Sequence, residues 1–105
     1  MKILVPKEEF EFHFGRFVEE CKNMLVSHYS SKFSNLDVPS ICVSEGSKYL
    51  KVYREENNLS SYVWFFVDGE GNIWKPASWK GPVKNFPRGN IIQDSAADVI
   101  GVYGI

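Results

Sequence analysis

The sequence predicts an α+β domain: one long N-terminal helix packed on a three- to four-stranded antiparallel meander, then an irregular C-terminal segment with a short helix. Three observations carry this. Apolar residues recur at spacings of three and four from Phe10 to Tyr29. Beyond Asp37 the period changes to alternation, and the apolar runs are separated by short clusters of Gly, Asn, Asp and Glu that suit turns. With 105 residues the chain is long enough for one core and too short for the usual pair of domains, so residues 1–105 are read as one domain.

The helix is expected between Lys7 and Phe33. At about 100° per residue, Phe10, Phe14, Phe17, Cys21, Met24, Leu25, His28 and Tyr29 fall on one face. Glu8, Glu9 and Glu11 complement the positive end of the helix dipole, and Pro6 is tolerated in or before the first turn. Phe12 points away from the stripe and is expected to contact something other than the main core.

Val38 to Ser44 reads as a first strand, with Pro39 favouring its start or a sheet edge. After the turn Glu45-Gly46-Ser47, Lys48 to Arg54 alternates Tyr49, Lys51 and Tyr53 against Leu50, Val52 and Arg54. Glu55-Glu56-Asn57-Asn58 reads as a loop. Ser61 to Val67 is apolar at every position after the serine, as in a strand covered on both faces. Asp68 to Asn72 reads as a hairpin loop, its glycines explained by positive φ. Ile73-Trp74-Lys75 returns as a fourth strand. Pro76 to Asn90, with three prolines and two glycines, reads as an ordered, irregular loop. Ser95-Ala96-Ala97-Asp98 resembles a capping box that opens a turn or two of helix, and the residues after it are too apolar for a free tail. One helix covers one face of a sheet, so the other face of Tyr62 to Val67 needs the 76–105 segment or a second subunit.

Twelve basic and thirteen acidic residues give a net charge of −1, so no whole-molecule field draws nucleic acid or an anionic membrane. The charge is unevenly spread. Residues 1–47 carry five basic and seven acidic groups, residues 48–88 seven and four, and residues 89–105 none and two. From Ile73 to Gln93 there is no acid, while Lys75, Lys80, Lys84 and Arg88 supply four cations. The N-terminus lacks the long apolar region of a signal peptide, and no window approaches a membrane span, so a soluble intracellular protein with free thiols at Cys21 and Cys42 is expected.

Chemistry of the usual kinds is hard to find. His13, His28, Cys21 and Cys42 form no zinc-like spacing. Gly69 and Gly71 sit in a hairpin rather than before a helix, and Asp68, Glu70 and Asn72 lack the length and the closing Glu of a calcium loop. No acid/base dyad is visible. A non-enzymatic protein without metal or cofactor is therefore expected.

What remains is the segment from Trp74 to Asn90. Prolines and glycines fix its shape, rings offer flat faces, and its cations have no local acid. Single-stranded nucleic acids are bound by this combination, with bases stacked on rings and phosphates neutralised by Lys or Arg. The expected site is Lys75, Trp79, Lys80, Lys84, Phe86 and Arg88, with Lys48, Lys51 and Arg54 able to extend it. The alternative is that Trp79 and Phe86 plug the uncovered sheet face while the lysines keep the loop soluble.

The run Lys75-Pro76-Ala77-Ser78-Trp79-Lys80-Gly81-Pro82, followed by Lys84 and Arg88-Gly89-Asn90-Ile91, resembles a K-x-A-S-W-K-x-P-x-K…R-G-N-I core of small uncharacterised proteins of tailed bacteriophages. The resemblance covers roughly residues 10–92. It implies a viral origin, action in the host cytoplasm and a binding role rather than a defined activity. Two functions are carried forward: binding of single-stranded nucleic acid through the 75–90 loop, or a protein-interaction module, either a host-factor inhibitor or a virion or homo-oligomer component, with a homodimer as one form.

Overall fold

The computed structural model describes residues 1–32, 37–56 and 60–105. Helix α1 spans Lys7–Lys32. It is followed by a five-stranded antiparallel sheet in chain order: β1 Ser40–Glu45, β2 Tyr49–Glu56, β3 Ser60–Asp68, β4 Asn72–Trp74 and β5 Gly89–Asn90. A single helical turn, α2 Ala96–Val99, comes last. This is the expected α+β architecture with one strand more. β5 lies inside the stretch read as a loop: Gly89 and Asn90 pair with Ile73 and Asn72, and two residues are too few to show alternation. Glu55 and Glu56, expected in a loop, end β2 opposite Ser61 and Ser60. The readings at Phe33, Asn57 and Asn58 lie outside the described residues.

Side chains directly opposite in an antiparallel pair share a face. Val52 faces Phe65 and Leu50 faces Val67, and the Phe17 ring of α1 meets Phe65 edge-on with centroids 5.6 Å apart. That is the inner face. Lys51 faces Phe66, and Phe66 faces Trp74, on the outer face. Between Val52 and Tyr53 the register slips by one residue, leaving Trp64 as the extra residue of a bulge. The bulge lets adjacent Trp64 and Phe65 both enter the inner core, and it keeps Tyr62 on the inner face opposite Arg54.

The helix stripe lands as expected. Phe10, Phe17, Cys21 and Leu25 are buried, while Phe14, Met24 and Tyr29 pack at the margin. Phe12 is 68% exposed, edge-on to His13. The C-terminal segment divides between the two faces. Ile91, Ala96 and Ile100 join the core beside α1, so residues 91–105 share the inner face with the helix. The stretch around residues 75–83 lies over the outer face, where Trp79 meets Tyr53 and Lys51.

The attachment of that tail uses partly buried polar groups of α1 and buried ones of β2 and β3. Glu20 of α1 accepts the Ala96 N–H at 2.8 Å and is paired with Arg16 at 2.8 Å, while Arg16 also donates to the carbonyls of Ile91 and Asp94. The Ala96 N–H bond above all holds the Glu20 carboxyl below the usual range; burial opposes it, and the hydrogen bond and charge of Arg16 add to the lowering. The expected capping box is therefore corrected: Ser95 makes no side-chain cap to α2 and instead donates to Asp98 at 2.8 Å. The cap comes from another element. Trp64 Nε1 donates to the Gly101 carbonyl at 3.0 Å, and Arg54 donates to the Val102 carbonyl.

The N-terminal residues strap the β3–β4 hairpin. Leu4 N–H donates to the Gly69 carbonyl at 2.8 Å, and a Cβ at Gly69 would stand 2.1 Å from the Lys2 carbonyl oxygen. Gly71 has φ 87° as expected, but Gly69 is required by close approach rather than by positive φ. Asp68 organises the turn by accepting the N–H groups of Glu70 and Asn72, the Asn72 amide and Trp74 Nε1. Among the described residues, no helix is long and apolar enough to cross a membrane.

Candidate functional site

The excursion between β4 and β5 closes on itself. Val83 N–H donates to the Lys75 carbonyl at 2.8 Å, and the N–H groups of Ala77 and Ser78 both reach the Gly81 carbonyl, at 3.0 and 3.1 Å. Pro76 and Pro82 face each other as a bridge. The result is a small ordered loop with Trp79 and Lys80 at its tip, turned over the outer sheet face. Proline supplies the rigidity, and the paired backbone groups leave few polar atoms to satisfy.

Trp79 packs on β2. Its ring meets Tyr53 at 66° with centroids 5.1 Å apart, and the Lys51 ammonium lies 4.1 Å from the ring centroid. Even so, Trp79 is 47% exposed, so the contact holds the ring while nearly half of the residue stays accessible. Trp79 thus covers part of the outer face at Tyr53 and Lys51 and remains partly accessible. Tyr53 is pushed to a higher pKa by burial first, then by Cys42 and Glu55, and stays a neutral hydroxyl.

Beside this contact is a cleft of about 310 Å³ lined by Ser44, Gly46, Ser47, Lys48, Tyr49, Lys51, Phe66 and Lys80. Three cations from the β1–β2 turn, β2 and the 75–83 loop thus converge over an aromatic floor, where Tyr49 and Phe66 meet edge-on. The four ion pairs found among the described residues involve none of these lysines. Two carboxylates bound this surface: Glu55, beside Tyr53, and Asp68, opposite Tyr49.

The six expected site residues do not form one cluster. Trp79 and Lys80 share the outer face with Lys51 and Lys48. Phe86 and Arg88 form a separate local stack, with the guanidinium 4.0 Å from the ring centroid. Arg88 also donates to the Asn85 side chain at 2.9 Å and to the Phe86 carbonyl at 2.6 Å. Phe86 does not plug the sheet; it is 57% exposed. Lys75 and Lys84 are exposed near the base of the loop. Arg54, expected to extend the surface, is instead 1% exposed on the opposite face. It sits between the rings of Tyr62 and Trp64, 4.9 Å from each centroid, and pairs with Glu56 at 3.1 Å. Burial pushes the Tyr62 hydroxyl up to about 12, so it remains a donor to Glu56.

A family model described as a family of unknown function, DUF7717, matches residues 10–101. The chain belongs to that family. No curated protein and no solved structure matches it. The DUF7717 match takes in the outer-face loop and also residues 93–101, the tail that α1 holds through Glu20. In this DUF7717 chain no group of three or more His, Cys, Asp or Glu among the described residues is arranged to hold a metal ion. Cys21 is buried and its thiol pushed up to about 12, chiefly by burial, which leaves it an inert packing group.

Two features were not anticipated from sequence. Ser44, Ser47, Tyr49 and Phe66 line the cationic cleft; the alternation of Tyr49, Lys51 and Tyr53 was the available signal, since it puts these three on one face. A second groove, of about 640 Å³, runs between α1 and the tail, lined by Met24, His28, Ala97 and Val102 among others. At this side His28 Nε2 and the Tyr103 hydroxyl are 3.1 Å apart.

Proposed function

We propose that this protein binds single-stranded nucleic acid on the outer face of its sheet, as a non-enzymatic accessory protein of a tailed phage acting in the host cytoplasm. The observation that carries the reading is the half-exposed Trp79 ring, held by Tyr53 and Lys51 beside a cleft that gathers Lys48, Lys51 and Lys80. A base stacks on the accessible part of the Trp79 ring, and the backbone on either side meets the ammonium groups of the cleft. An aromatic face is tolerant of base identity, so binding is sequence-tolerant and salt-dependent. Phe86 with Arg88, and Lys75 and Lys84 at the loop base, extend the contact for longer strands.

Two features support single strands over duplex. A stacking ring needs an unpaired base, and the described helices offer no positively charged face to a major groove: α1 opens with Glu8, Glu9 and Glu11. Titration of a labelled oligonucleotide by anisotropy, with single- and double-stranded probes compared, tests this. Saturable binding of the single strand alone supports it, and equal binding of both, or of neither, overturns it. The protein-interaction reading draws on Phe12, which is 68% exposed on α1. A host-lysate pull-down that retains one dominant protein, and loses it on Phe12→Ser, favours that reading instead.

A further inference from the structure

Strand β1 is one edge of the sheet, and its residues Ser40 to Ser44 lack the usual protection. Gly46 N–H donates to the Tyr49 carbonyl at 2.8 Å, which fixes the alternation along the β1–β2 ladder: Ser44 and Cys42 turn their backbone groups toward β2, while Ile41, Val43 and Glu45 turn theirs outward. Among the described residues no backbone hydrogen bond from another element reaches these three. Natural edge strands are blunted by charged side chains, internal proline or bulges. Ser40-Ile41-Cys42-Val43-Ser44 has none of these, and the β1–β2 register runs unbroken from Ser40 to Glu45.

We propose that two copies of this chain pair antiparallel through β1, with Cys42 opposite Cys42 of the second copy, to make one continuous ten-stranded sheet. A two-fold axis through that point brings Ile41 against Val43 of the other copy and Ser40 against Ser44. No two charges face each other. Glu45, already tied to the chain's own N-terminal amine at 2.7 Å, falls opposite Pro39. Val43 lies on the inner face but α1 leaves it 45% exposed, and the second copy covers it. An isologous contact of this kind closes at two subunits and leaves no further free β1 edge. The alternation makes Cys42 a non-hydrogen-bonded position toward the second copy, where Cα atoms stand about 4.5 Å apart, within disulfide reach. The outer faces of the two copies then lie side by side.

Light scattering over a concentration series reads the mass of the untagged full chain. It is expected to rise from 12.0 kDa toward twice that value. Val43→Lys, at a half-exposed position, is expected to keep the fold by circular dichroism and hold the mass at the monomer, while Val26→Lys on exposed α1 leaves dimerisation unchanged. Diamide is expected to give a covalent dimer on a non-reducing gel that disappears in Cys42→Ser. A monomer at every concentration, a dimer that survives Val43→Lys, or a folded dimer that never cross-links through Cys42 overturns the proposal.

Discussion

Trp79 separates a packing role from a binding role when it is changed in two ways. The ring is 47% exposed, so about half of its roughly 250 Å² is buried on folding. At about 25 cal/mol per Å² that contact is worth at most about 3 kcal/mol, and Trp79→Ala is expected to lower stability by roughly that amount. Trp79→Leu keeps apolar volume over Tyr53 and is expected to cost about 1 kcal/mol. Neither residue offers a flat π face. Loss of one stacked base costs about 1–3 kcal/mol, so both variants are expected to weaken single-strand binding by about 5- to 150-fold. Urea denaturation and anisotropy titration on the same preparations read the two effects. A Trp79→Leu protein that binds like wild type refutes the stacking role and leaves Trp79 as cover for the sheet.

Three further outcomes follow from the scaffold. Glu20→Gln is expected to cost about 1–2 kcal/mol at neutral pH, scaled to a side chain that is 34% exposed. Because the folded carboxyl is held low, that contribution is present above the ordinary carboxylate pKa and is lost as the pH falls through the lowered value. Urea midpoints of wild type and variant are therefore expected to converge in acid, and a gap independent of pH contradicts the capping role. Gly69→Ala is expected to cost about 1–3 kcal/mol, since the new Cβ would lie 2.1 Å from the Lys2 oxygen; a thermal midpoint equal to wild type contradicts the strap. A chromogenic disulfide reagent at mildly alkaline pH is expected to titrate Cys42 quickly in the folded chain and Cys21 only in denaturant, because burial keeps the Cys21 thiol protonated. Rapid reaction of both counts against that burial.

The helix and the central strand were legible because their signals are local. The spacing of Phe10, Phe17, Cys21 and Leu25 requires only 3.6 residues per turn, and Tyr62 to Val67 is uniformly apolar. Phe12 points away from the helix stripe and Trp79 and Phe86 fall in the irregular 76–90 segment, and all three are exposed. What escaped depends on contacts distant in sequence. β5 exists because Arg88 N–H and Gly89 return to Ile73, which no feature of two residues announces. Arg54 shares the parity of Leu50 and Val52, so its inward direction is readable; its burial is not, since it depends on the Tyr62 and Trp64 rings, Glu56 and the Val102 carbonyl meeting there. The cleft escaped for the same reason. Lys48 and Lys51 lie some thirty residues before Lys80, and only the folding of the 75–83 loop over β2 unites them.

The most direct test is the salt dependence of single-strand binding. If Lys48, Lys51 and Lys80 each neutralise one phosphate, log K falls with log salt at a slope of about −2, from about −0.7 per phosphate on a single strand. Lys51→Ala and Lys80→Ala are each expected to reduce that slope by about 0.7 while the fold persists. Binding too weak to measure at low salt, or a slope near zero that the lysine variants leave unchanged, contradicts a nucleic-acid role for the outer face.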